Sequence, residues 1–165
     1  MSEFKDRVLK LTNLRYEMLP LLFEQMQIDE ADTVSRILKC HLLSEVVLDK
    51  LLTLALDPNG DAVLSVKLSY INKVNIASRS VLTKNYELLP DFVVGSLKEL
   101  NKIRNKLAHE LGATVTHEEA LKLFNGMEYP VSFDLETTDT AMIIRHYTAC
   151  IFGYMLPKYE VIDDV

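Results

Sequence analysis

The chain has no tryptophan, two cysteines, and only five glycines and five prolines in 165 residues. So little glycine and proline excludes a collagen-like or low-complexity chain and leaves room for long helices. Cys40 and Cys150 stand apart, with no CxxC pair and no Cys–His cluster of metal-site spacing. They are expected to be reduced, buried thiols, with no metal and no cofactor, in a cytoplasmic protein. No apolar run reaches the length of roughly 20 residues that spans a membrane, so no membrane association is expected. The opening "MSEFKDRVLK" is charged within its first residues and lacks the apolar core of a signal peptide. Phosphate-cradling glycine loops, a GxSxG elbow, a Rossmann fingerprint and a helix-turn-helix signature are all missing.

Apolar residues make up 48% of the chain and charged residues 25%. That balance suits a single folded domain over residues 1–165 with a substantial core. The net charge of −6 argues against a broad nucleic-acid-binding surface, but it is unevenly distributed. Lys67 to Lys106 holds eight basic residues against Glu87, Asp91 and Glu99, a local +5 that leaves −11 elsewhere. A basic face on an acidic body can hold a short piece of nucleic acid while resisting indiscriminate binding; a solvated helix face is the plainer reading of the same charges.

Helical spacing dominates the apolar pattern. Val34, Ile37, Leu38, Leu42, Val46, Leu48, Leu51, Leu52 and Leu56 recur along one long helix, capped by Asp29 or Asp32 and stopped by "DPNG". A shorter amphipathic segment, 4–27, precedes it, and Pro20 either kinks that segment or starts a new helix. "DAVLSVKLSYINKVNI" reads as a third helix, and "ASRSVLTKNYELLP" as a connection. Pro90 and Asp91 open a helix whose stripe is Val93, Leu97, Leu100, Ile103 and Leu107, with Gly112 at the left-handed position past its end. "THEE" from Thr116 is a capping box for a short helix ending near Gly126. "MEYPVSFDLE" is a loop or short strand, and a last helix runs over 138–156. The expected fold is all-α: a compact bundle of about five to seven helices with long antiparallel core helices.

The polar residues that end the Pro90 helix are the chemical candidates. Asn105 and His109 are four apart and share a face with Lys102 and Lys106. Arg104 and His109 are five apart, about 140° around the axis at roughly 100° per residue, so one regular helix does not aim both at one point. They would converge if the last turn loosened near Gly112, or if a second copy packed beside the helix. Taken plainly, the same residues are an ordinary helix end, with Arg104 laid over apolar neighbours or paired with Glu45 or Glu99, and a basic last turn complementing the helix dipole. The pairs His41/Glu45 and His146/Cys150 each offer two metal ligands at helical spacing, too few for a site. His117 reads as an exposed first-turn residue, and Tyr147, Tyr154 and Tyr159 as packing rather than base-stacking groups.

"IRNKLAH" resembles the Arg-Asn-x-x-x-His signature of the HEPN superfamily of small all-helical nucleotide-binding domains. The order "HLLSEVVLDKLL", "LSVKLSYINKVNI", "LKELNKIRNKLAHE" is similar to the branch of the mannitol-repressor-like proteins, with the likeness strongest over 37–110. The resemblance implies a metal-independent endoribonuclease, of the kind found in toxin–antitoxin and defence systems, acting as a homodimer. RNA and an antitoxin or other protein are the partners it suggests. It also implies roles: His109 as acid or base, Arg104 as the cation on the phosphate, Asn105 as an orienting group, Lys102 and Lys106 as backbone contacts, and Glu45 as a support touching Arg104 or His109. Cleavage by the RNA's own 2′-hydroxyl needs a proton acceptor or donor and positive charge at phosphorus, which these side chains can supply. The other expectation is a non-catalytic, mannitol-repressor-like regulator or adaptor working through protein contacts.

Overall fold

The computed structural model describes residues 2–83, 86–127, 134 and 137–156. The chain begins with one continuous helical rod: α1 (Ser2–Asn13), a π-helical turn (Leu14–Met18) and α2 (Leu19–Gln25). Pro20 occupies the first turn of α2, where its missing N–H costs least, so the proline starts an element rather than ending one. Then come α3 (Thr33–Ala55), α4 (Gly60–Ser65), α5 (Tyr70–Ala77), a hairpin of β1 (Val81–Thr83) and β2 (Tyr86–Glu87), α6 (Asp91–His109), α7 (His117–Lys122) and α8 (Thr140–Met155). The fold is an all-α bundle, as the pattern of apolar residues requires.

The long helix α3 is the centre. Ile37, Cys40, Leu43, Val47, Leu48, Leu51 and Leu52 are at most 1% exposed, and α1, α4, α5, α6 and α8 all pack against it. Asp32 caps its start through bonds to the N–H groups of Val34 and Ser35, at 2.9 and 3.0 Å. Helix α6 runs antiparallel to α3: His41 meets Asn101 near the middle, while Val34 lies at the same end as Val115, beyond the end of α6. It is antiparallel to α8 as well, since Phe92 meets Tyr154 and Ser96 meets Tyr147. The caps of α3 and α8, Asp32 and Asp139, lie at one end of the bundle.

Three local readings are refined by the coordinates. The stretch over 61–76 is two helices rather than one, because Val66 turns extended and Ser69 caps α5 by accepting from the N–H of Asn72. The connection before Pro90 contains the β1–β2 hairpin, with Val81 opposite Glu87 and Thr83 opposite Tyr86. Most of "MEYPVSFDLE" lies outside the described residues. The Thr116–Glu119 capping box is formed in full, and Gly112 has the expected positive φ of 77°.

Buried polar groups tie the last elements together. The Ser96 hydroxyl lies 2.8 Å from the Leu123 carbonyl and 2.9 Å from the Tyr147 hydroxyl, joining α6, the end of α7 and α8 in a region closed to solvent. Ser96→Ala leaves both partners without this bond; a loss of about 1–3 kcal/mol is expected, read as a lowered urea midpoint with an unchanged m-value.

Candidate functional site

The motif residues occupy the C-terminal half of α6, half-buried from Arg104 to Leu107 and exposed at its last two residues, and they divide between two sides. His109, the last residue of the helix, is exposed. With Asn105, Lys102 and Lys106 it lines a groove of about 460 Å³ between α6 and α7 that also receives Glu119 and Lys122. Arg104 is not on that groove. Its guanidinium donates to Asn105 Oδ1 at 3.0 Å, and its positive charge acts on His41 of α3. Within the single chain the arginine and the histidine therefore face separate surroundings, as their angular spacing implies. Asn105 bonds Arg104 and lines the groove together with His109.

The basic residues are largely engaged. Lys106 contacts both carboxylate oxygens of Glu119 at 2.7 Å, and Glu119 is itself anchored to the Thr116 N–H at 2.8 Å. Burial alone would raise the Glu119 pKa, but the bonds from Lys106 and Thr116 outweigh it and hold the carboxyl below its ordinary value. Lys102 is exposed and 3.6 Å from Glu99, an arrangement that contributes little to stability. Lys73, counted above as part of a basic face, is buried between α5 and α3.

Glu45 departs from its expected role as a support for Arg104 or His109. Its carboxylate bonds Lys73 at 2.9 Å, and Asp49 sits 2.8 Å from the same ammonium. Burial would lower the Lys73 pKa, yet the bonds to Asp49 and Glu45 hold it above the ordinary lysine value. The three residues clasp α5 onto α3. The physical reason is reach: a lysine one turn into α5 lies directly over the two acids, which are four apart on α3 and so share a face.

The residue that the sequence pattern left undervalued is His41. Its ring stacks on Tyr70 with centroids 4.0 Å apart, and its Nε2 lies 3.0 Å from Asn101 Oδ1. Tyr70 is fixed in turn by Ser44 at 2.7 Å. Burial lowers the His41 pKa below 6.5; the bond to Asn101 opposes this, Arg104 adds to it, and Glu45 works against it. His41 and Glu45 thus share a face but serve different partners, Asn101 and Lys73. Among the described residues no group of three or more His, Cys, Asp or Glu is gathered as for a metal. Both cysteines are free thiols, and burial pushes that of Cys40 up to about 12. No helix among the described residues is long and apolar enough to cross a membrane.

A larger hollow of about 560 Å³ lies between the π turn, α2 and α8, away from the motif. It includes Arg15, whose guanidinium donates to the carbonyls of Gly153 and Leu156 at 2.9 and 2.6 Å. That is a helix cap rather than a reaction centre. In comparisons with known proteins the chain matches no family model, no curated protein and no solved structure.

His41 gives a test by linkage. Its folded pKa lies below the unfolded value, so above pH 6.5 both states leave the ring neutral and acidity has no effect through it. As pH falls below 6.5 the unfolded chain takes up the proton first, and stability is lost until the folded pKa is passed. The urea midpoint of the wild type should fall more steeply below pH 6.5 than that of His41→Gln, and the two slopes should coincide at pH 8.

Proposed function

We propose that the chain is a HEPN-type, metal-independent endoribonuclease that works as a homodimer, cutting RNA by attack of its own 2′-hydroxyl. The observation that carries this reading is the end of α6. There Arg104, Asn105 and His109, the triplet by which the sequence resembles the superfamily, follow one another along the last turns of the helix, with His109 exposed and Arg104 bonded to Asn105. His109 would act as the acid or base, Arg104 would hold the phosphate oxygens, and Asn105 would keep the guanidinium in place. RNA is the substrate class, with Lys102 and Lys106 as the cations nearest His109 that could follow its backbone.

The homodimer answers the separation of Arg104 from His109. Leu38, Leu42 and Val46, at i, i+4 and i+8 of α3, are 39%, 55% and 39% exposed, an apolar stripe on the central helix. The register that sets His41 against Asn101 puts Leu38 level with Arg104. A second copy seated on this stripe would bring its own helix ends beside that arginine.

A regulator or adaptor without catalysis is the second reading, and one observation favours it. Lys106 is tied to Glu119 from both oxygens, so the α6–α7 groove offers less free positive charge than its sequence suggests. In that reading a cytoplasmic protein partner, an antitoxin among the candidates, would take the place of RNA.

The readings part on simple measurements. Purified protein with a chelator should cut single-stranded RNA and leave cyclic phosphate ends. His109→Ala and Arg104→Ala should each lower kcat/KM by at least about 10²-fold without loss of helicity. Fully active variants would remove these side chains from the chemistry and leave the adaptor reading. Leu42→Glu should convert the dimer to a monomer by light scattering and lose cutting with it; a wild type already monomeric at working concentration would overturn the shared site.

A further inference from the structure

Cleavage through the 2′-hydroxyl needs a proton acceptor close to the cation that holds the phosphate. On the side of α6 that Arg104 faces, His109 does not supply it. Asn101 does lie there, three residues before Arg104 and so about 60° from it around the helix, and it holds His41 at 3.0 Å. We infer that His41 is a second acid–base group of this site, taking the 2′-hydroxyl proton on Nδ1 while Arg104 holds the phosphate. The inference rests on the ribonuclease reading given above and adds a residue to it.

Three observations support the assignment. With the Asn101 carbonyl as acceptor, the ring proton sits on Nε2, and the lone pair is left on Nδ1. Among the described residues no hydrogen bond to Nδ1 is formed, and the residue as a whole is 6% exposed. The ring is also rigid, stacked on Tyr70, whose hydroxyl is held by Ser44. A proton acceptor must be neutral at working pH, and burial together with Arg104 favours the neutral ring. The charged and titratable groups around it are Glu45 on its own helix, Tyr70 and Lys73 on α5, and Arg104 on α6. Lys73 is neutralised by Glu45 and Asp49, which leaves Arg104 as the cation facing the ring.

In the step itself the 2′-hydroxyl proton passes to Nδ1 as the 2′-oxygen bonds phosphorus. The bond from phosphorus to the 5′-oxygen breaks, and the departing oxygen takes a proton from His109 of the second copy in the proposed dimer. The products are a 2′,3′-cyclic phosphate and a 5′-hydroxyl. His41 then returns its proton to solvent, and His109 takes one up from it.

The test uses the full chain, a short single-stranded RNA and a chelator between pH 5 and 8. Wild-type kcat/KM should fall as acid protonates His41. His41→Gln, whose amide can still donate to Asn101, should lose about 10²-fold and the acidic limb of the profile together. In the wild type, a 2′-O-methyl RNA that cannot react should move the His41 ring resonances, a measurement that needs no variant. Wild-type cutting with unchanged rate and profile in His41→Gln, or still resonances on RNA addition, overturns the role of His41 alone. A wild type that cuts nothing at any pH overturns the ribonuclease reading and this residue's part in it.

Discussion

Burial of one helix from nearly all sides is the constraint on which the rest of this structure depends. Helix α3 has most of its apolar residues, Leu38, Leu42 and Val46 excepted, closed off against five other helical elements, and the energy of removing that surface from water helps offset the ordering of so many short pieces. Because α3 is long and central, side chains on neighbouring turns are delivered to different partners at fixed heights. Cys40 goes into the core, His41 to α6, Ser44 to Tyr70 and Glu45 to Lys73. The polar layer between α3, α5 and α6 is therefore a by-product of packing, held rigid by the same contacts that make the bundle stable.

That polar layer is also where charge is most constrained. Lys73 is 9% exposed and has two acids within 3 Å. Removing the acids would strand the ammonium in a poorly hydrated place, a larger loss than that of an exposed pair. The clasp fixes α5, α5 fixes Tyr70, and Tyr70 fixes the ring of His41. A chain of contacts thus transmits the position of a short helix to an imidazole that feels the charge of Arg104.

The long helices were legible because each carries a full apolar stripe and a visible stop. Asp32 before α3, Pro90 before α6, the Thr116–Glu119 box and Gly112 are local signals whose physics does not depend on the rest of the chain. The break between α4 and α5 had a signal too, Ser69 as a cap, but it was masked by continuous helical periodicity over "LSVKLSYINKV". The candidate site was legible only where it is local: Arg104, Asn105 and His109 follow one another on one helix, and their angular separation could be worked out beforehand. What could not be read was which acid meets which base. Lys73 finding Glu45 spans 28 residues, and His41 finding Asn101 spans 60. Such pairings are fixed by how helices dock, and no spacing rule within either helix contains them.

The guanidinium of Arg15 has a consequence for the order of events in the cell. It closes carbonyls of the last helix, at a separation of 138 and 141 residues. A chain emerging from the ribosome presents its first helix long before the carbonyls it must cap exist. That cap can therefore close only after α8 has been made, although α1 has α3 to pack against before then.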